Sequence, residues 1–209
     1  MSLNLASQST FGTNLLTRIM PAKVARSRLG RAVYLASGYC PPDLAEELID
    51  ALRSSLWVES ELRLEHVTPY GAYDLGVVSR KVITDAGAAA VVNAFRNTFE
   101  LELFNYHGLG TGSTAEAAAQ TALVTELTTQ YSTDNTRPTG TQSAPAANQY
   151  QSVATITVDA AVSITEHALF SQAAAPGGQM WDRSVFAALA LNSGDSIIAT
   201  YIATVTSGG

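Results

Sequence analysis

Ser196-Ile-Ile-Ala-Thr-Tyr-Ile-Ala-Thr-Val-Thr206 alternates at a period of two along its whole length. Ile197, Ala199, Tyr201, Ala203 and Val205 fall on one face, and Ile198, Thr200, Ile202 and Thr204 on the other. Both faces are semi-apolar, which predicts a strand that is central in a sandwich or contacts another chain. The turn Asn192-Ser-Gly-Asp195 joins it to a strand over Val185 to Leu191. Tyr150 to Val158 and Ala161 to Phe170 read as a second strand pair around Asp159, and Thr133 to Asn148 reads as a surface loop. Evenly spaced strands with turn signals point to a mainly β chain, a β-sandwich of jelly-roll-like type.

Upstream the pattern is mixed. Leu62 to Val67 and part of Asp74 to Ile83 alternate, with Pro69-Tyr-Gly71 as the turn between them. Asp85 is placed to cap a helix over Ala86 to Phe95. Thr98 to Tyr106 alternates again and runs into His107-Gly-Leu-Gly-Thr-Gly-Ser113, and Ser113-Thr-Ala-Glu116 has the spacing of a capping box. After Pro41-Pro42, Asp43 and Glu46 have the same spacing, and Leu44, Leu48, Ile49, Leu52 and Leu56 form one apolar face. This predicts a helix over 43–56, the first of two short helices. The organisation expected is a basic N-terminal arm over 1–40, a helix-containing linker with the first strands over 41–110, and a sandwich body over 111–209.

Composition sets the outer bounds. Of 209 residues, 46% are hydrophobic and only 14% charged, against about 25% charged in an average soluble domain. Whole-chain disorder is excluded, because it needs low hydrophobicity and high charge. No charge-free apolar stretch approaches the roughly 18 residues of a membrane span. The single cysteine, Cys40, permits neither an internal disulfide nor a cysteine-based zinc site.

Charge is distributed unevenly. Residues 1–40 hold Arg18, Lys23, Arg26, Arg28 and Arg31 and no acid, whereas residues 41–209 hold seven bases against eighteen acids. Such opposed ends attract another copy of the chain, or lay the basic end on an acidic surface. The acidic body argues against nucleic acid as a principal ligand. The arm reads as a segment that docks on a partner, or more plainly as a solvated terminus. With five charges and no aromatic interleaving, binding of nucleic acid by the arm is the weakest of its readings. An apolar core preceded by the charge, as in a signal peptide, is absent from the arm.

The search for chemistry yields little. His66, His107 and His167 are scattered without metal-ligand spacing, and each reads as a strand histidine; His107 is singled out because it precedes the glycine run. Gly108-Leu-Gly-Thr-Gly112 lacks both the dinucleotide fingerprint and the Gly-Lys-Ser/Thr ending of a phosphate loop. Its glycines read instead as a bulged strand exit or turn with positive φ. There is no G-x-S-x-G elbow, and neither metal nor cofactor is called for. By alternation Glu166 shares a face with Val162, Ile164, Ala168 and Phe170, which puts a carboxylate among core residues. Arg183 is its natural partner in a structural ion pair. A hydrolase using Glu166 and Asp182 ranks last, so the chain is not read as an enzyme. Tyr131, Tyr150 and Trp181 are the aromatics a carbohydrate-binding module would expose.

His107-Gly-Leu-Gly-Thr-Gly-Ser-Thr-Ala-Glu116, Thr121-Ala-Leu-Val-Thr-Glu126, Ile164-Thr-Glu-His-Ala-Leu-Phe170, Trp181-Asp-Arg-Ser-Val-Phe186 and Asn192-Ser-Gly-Asp-Ser196 together resemble a family of tailed-bacteriophage virion proteins. The likeness covers about residues 75–209. It implies a β-sandwich body and a structural role in the particle, either capsid decoration (cement) or a tail or baseplate component, and it brings no catalytic residues. The expectation is a cement protein located in the virion, a homo-oligomer, with a trimer suited to threefold positions, that contacts the major capsid protein or other virion proteins. Arg18, Lys23, Arg26, Arg28 and Arg31 of the arm, with Leu48 and Leu52 of the helix, are the expected partner contacts; no membrane is involved. A carbohydrate-binding module for the host surface is the reading from another class.

Overall fold

Alternating residues become a hairpin where a turn signal interrupts them. β1 (Leu56–Thr68) turns at Pro69-Tyr70 and returns as β2 (Gly71–Ser79), with Thr68 opposite Gly71. This computed structural model describes residues 56–80 and 82–207. The expected arm and nearly all of the expected helix 43–56 lie outside the described residues; Leu56, the last residue of that helix, stands in β1 instead. Trp57–Thr206 forms one compact unit.

β3 (Val82–Ile83) leads into α1 (Asp85–Phe95), the one α-helix among the described residues. Its cap is Thr84, not Asp85: the Thr84 hydroxyl accepts from the Gly87 N–H at 3.0 Å and donates to the Met180 carbonyl at 2.5 Å. Asp85 takes the first helical position, where its charge suits the positive end of the helix.

The strand expected over Thr98 to Tyr106 does not form. Leu101–Leu103 make a single 3-10 turn, and β4 (Tyr106–Gly110) begins only afterwards. The alternation there serves an aromatic cluster, with Phe104 stacked at 5.2 Å from Phe99 and 5.3 Å from Trp181. The helical turn expected at Ser113-Glu116 is also absent. Instead of reaching back to close a capping box, the Glu116 carboxylate accepts the Val185 N–H at 2.7 Å.

The remaining strands are β5 (Thr141–Ser143), β6 (Gln149–Thr157), β7 (Val162–Phe170), β8 (Asp182–Leu191) and β9 (Ser196–Ser207). β5 lies within the stretch expected to be only loop, and pairs with β6. Two sheets result, one of five strands in the order β2-β1-β9-β6-β5 and one of four in the order β3-β8-β7-β4. Every strand pair whose register is defined runs antiparallel. β9 is central, as its two semi-apolar faces require.

The expected strand pairs are corrected by this topology. β6 and β7 belong to different sheets, and so do β8 and β9. The turns at Asp159 and Asn192–Asp195 are thus arches that cross the sandwich, not hairpins. The two arches brace one another: Gly194 N–H donates to the Val158 carbonyl at 2.8 Å, and Val158 N–H to the Asp195 carbonyl at 3.0 Å. Gly194 sits at φ 89°, where a side chain is disfavoured.

Leu62, Leu64, Ala154, Ile156, Ile197 and Ala199 from one sheet meet Leu109, Ile164 and Leu191 from the other in the main core. A second cluster of Leu123, Ala168, Phe170 and Met180 lies on the far side of the four-stranded sheet. The segment after β4 produces it. Thr111 N–H bonds to the Thr125 carbonyl and Leu127 N–H to the Leu109 carbonyl, both at 2.9 Å, which covers the edge of β4 and brings Leu123 over Phe170.

Candidate functional site

The β7–β8 register slips between Ile164 and Glu166, and this slip decides where the polar residues go. Ile164 stays in the core between the sheets. Glu166 turns to the opposite face with Ala168 and Phe170, so the face expected for it is correct only beyond the slip. Arg183 on β8 meets it at 2.7 Å, and both side chains are buried. The Glu166 carboxylate also accepts from Gly112, Val124 and Thr125 N–H groups at 2.9 to 3.1 Å. Arg183 spends its other donors on the Thr114 carbonyl at 2.9 Å and Gln120 Oε1 at 3.1 Å. A buried ion pair with every lone pair occupied is a staple: it fastens the segment after β4 to the sheet.

The glycine run has its explanation here. None of Gly108, Gly110 and Gly112 has positive φ, contrary to expectation. A Cβ on Gly110 or Gly112 would strike the Glu166 carboxylate, and one on Gly108 would lie 2.8 Å from the Phe170 ring. Close approach, not turning, requires glycine at these positions.

A second staple escaped the sequence reading. Arg137 lies over the Phe170 ring at 3.5 Å and pairs in a fork with Glu126, its Nη2 at 2.8 Å from Oε2. Its Nη1 donates to the carbonyls of Gln172, Ala174 and Gly177. The available signal was that residues 111–209 contain only two bases, Arg137 and Arg183, and a lone arginine in an apolar region needs a buried acid.

Between the sheets lies a neutral polar set. His107 Nδ1 is 3.0 Å from His167 Nε2, and His107 Nε2 is 2.8 Å from Ser152 Oγ. Burial holds both imidazoles below their ordinary pKa, with repulsion from His167 adding to the effect at His107; His167 is pushed to about 3. Asp182 faces the same interior, where burial raises its carboxyl to about 7 against opposing hydrogen bonds from Leu169 N–H and Tyr201. Tyr201 Oη in turn accepts from Trp181 Nε1 at 2.7 Å. Glu166 and Asp182 are thus on opposite faces of one sheet and share no cleft. His66 stands apart, at 3.0 Å from Asp195.

Tyr131 is buried with its hydroxyl on Leu109, Tyr150 donates to the Phe104 carbonyl at 2.6 Å, and Trp181 is held by Tyr201, so these three aromatics serve the interior. The aromatics at the surface are Tyr70, 94% exposed, Tyr73, and Phe95, 85% exposed. Arg18, Lys23, Arg26, Arg28, Arg31, Leu48 and Leu52 lie outside the described residues. An apolar groove of about 300 Å³ opens between β2 and β8, lined by Leu64, Leu75, Val77, Val78 and the run Phe186–Leu189. Comparison of the chain with protein-family models, curated proteins and solved structures gives no match.

Proposed function

We propose that this chain is a structural protein of a tailed-phage virion, a capsid decoration protein that holds the shell through contacts between copies and with the major capsid protein. The observation that carries this reading is the apolar surface the sandwich leaves uncovered. Phe95, Tyr70, Val92, Leu56 and Val124 are all exposed, and the groove between β2 and β8 has no polar lining residue. An apolar groove and exposed apolar side chains on a chain with few charges fit surfaces that become covered on assembly. The buried staples support it as well, since they fasten a long non-strand segment onto the four-stranded sheet. The resemblance read from the motifs at 107–126, 164–170 and 181–196 to phage virion proteins is what points to a particle. The nesting of β1 beside β9 and β3 beside β8 in opposite sheets supports the jelly-roll-like form.

The test is the number of copies per purified particle, measured by quantitative mass spectrometry against the major capsid protein. Hundreds of copies are expected. A handful to a few dozen places the chain in the tail or baseplate and overturns the decoration reading.

A further inference from the structure

The interior next to the main core is polar on both sheets. Beyond the slip at Glu166, His167 and Leu169 of β7 point between the sheets, with His107 of β4 on one side and Ser184 and Asp182 of β8 on the other. Ser152 of β6 and Tyr201 of β9, a cross-strand pair, close the layer from the second sheet. β1 adds Ser60 against Tyr201. The titratable groups facing this layer are thus His107, His167, Asp182, Tyr201 and, beside Tyr201, Tyr150. Glu166 and Arg183 lie on the other face of their sheet.

Two buried atoms of the layer, His167 Nδ1 and Asp182 Oδ2, have no hydrogen-bond partner among the described residues. Buried polar groups are almost always satisfied, by protein or by ordered water. His167 pairs with Ser184, so Asp182, two residues back along β8, is its diagonal neighbour on the same face. Such neighbours lie roughly 7 Å apart, within reach of a ring and a carboxylate but wide for direct contact. The His167 Nε2 is turned to His107 on β4, so Nδ1, across the ring, is turned away from that strand, to the β8 side. Asp182 Oδ1 is anchored on the Leu169 N–H at 3.3 Å, which leaves Oδ2 for another partner. The Ser184 hydroxyl supplies a third polar group, and a buried water makes about three hydrogen bonds.

We propose that one buried water joins Asp182 Oδ2 to His167 Nδ1, completing a hydrogen-bonded chain Asp182–water–His167–His107–Ser152 whose direction is set by the proton on Asp182. Two directions are self-consistent, because a neutral imidazole donates from one nitrogen and accepts at the other. With Asp182 protonated, its hydroxyl donates to the water and the water to His167 Nδ1. His167 Nε2–H then donates to His107 Nδ1, and His107 Nε2–H to Ser152 Oγ. With Asp182 ionised, every bond reverses: Ser152 donates to His107 Nε2, His107 Nδ1–H to His167 Nε2, and His167 Nδ1–H through the water to the carboxylate. One proton is lost between the two states. It leaves by way of Ser152 as each remaining proton moves one bond along, so neither imidazole is a cation in either state. Burial lowers both imidazoles and raises the Asp182 carboxyl to about 7, which places the reversal near neutral pH. The chain belongs to the fold and does not rest on the virion reading.

Full-length protein carrying histidine labelled with the heavy nitrogen isotope tests it, because two-bond proton–nitrogen spectra show which ring nitrogen holds hydrogen. His66→Gln identifies the signals of the third ring. Between about pH 5.5 and 8.5 both buried rings should change together from the Nε2–H to the Nδ1–H form, with one midpoint near 7. In Asp182→Asn the amide N–H takes the donor's place, so both rings should stay Nε2–H throughout; in Tyr201→Phe the joint change should persist. Wild-type rings that keep one form across the range, or that change at separate midpoints, overturn the chain. So does a change that survives Asp182→Asn or vanishes in Tyr201→Phe; where a variant fails to fold, the wild-type spectra decide alone. A crystal structure at about pH 6 should place the water within about 3 Å of both atoms, and an empty space or a direct contact between them overturns the bridge.

Discussion

Replacing Asp182 by Asn isolates one buried proton. In the folded chain the Asp182 carboxyl is raised to about 7 from its ordinary 3.8, chiefly by burial. A raised acid contributes stability that is fully present below the unfolded value and is lost as pH climbs through the folded one. Between about pH 4 and 7 the folded state holds a proton that the unfolded state has released. Wild-type stability from this group therefore falls by roughly 1.4 kcal/mol per pH unit, about 4 kcal/mol over the whole window. Asn cannot ionise, yet its amide oxygen still accepts from the Leu169 N–H. Asp182→Asn should match wild type near pH 4 and exceed it by an amount that grows to a few kcal/mol at pH 7, then levels off. Urea unfolding at unit pH steps from 4 to 8 measures this directly. A gap between variant and wild type that stays constant with pH would refute the assignment of a protonated carboxyl to the inter-sheet core.

His107 and His167 work in the opposite sense, because their folded values lie below the ordinary 6.5 and their contribution is lost as pH falls below about 6.5; Asp182→Asn should thus unfold more steeply with acid than wild type. Arg183→Met leaves Glu166 charged, buried and unpaired, so it should lose about 3 to 5 kcal/mol, whereas Arg183→Met with Glu166→Gln should recover much of that in the same urea titration. Gly110→Ala drives a methyl into the Glu166 carboxylate and should lose about 1 to 3 kcal/mol by overpacking; a neutral result in thermal unfolding would show that the carboxylate can move aside.

How far the residues spoke for themselves differs from element to element. Strict alternation was legible wherever burial acted on one strand alone, as in β9, because a pleat sends successive side chains to opposite faces whatever lies next to it. Asn192-Ser-Gly-Asp195 was legible as a turn, but its hydrogen bonds go to Val158 on the other arch, so the same residues cross the sandwich instead of closing a hairpin. At Thr98–Phe104 the alternating pattern was real and the strand was not, since Phe104 found Phe99 and Trp181 before any ladder partner. The Glu166–Arg183 pair was suggested by the alternation that puts Glu166 among core residues, but its face depended on a one-residue slip in the ladder.

By itself, then, the order of amino acids determined that the chain is β-rich, that its last strand is semi-apolar on both faces, and that its positive charge is concentrated in the first forty residues against an acidic remainder. These are local quantities, set by side-chain period and charge count. Only the tertiary structure decided which strands pair, that the glycines at 110 and 112 make room for a carboxylate, and that burial between the sheets lowers His107 and His167 and raises Asp182. The reason is that pairing, close approach and desolvation depend on groups distant in the chain, whose positions are fixed only when the two sheets close on one another.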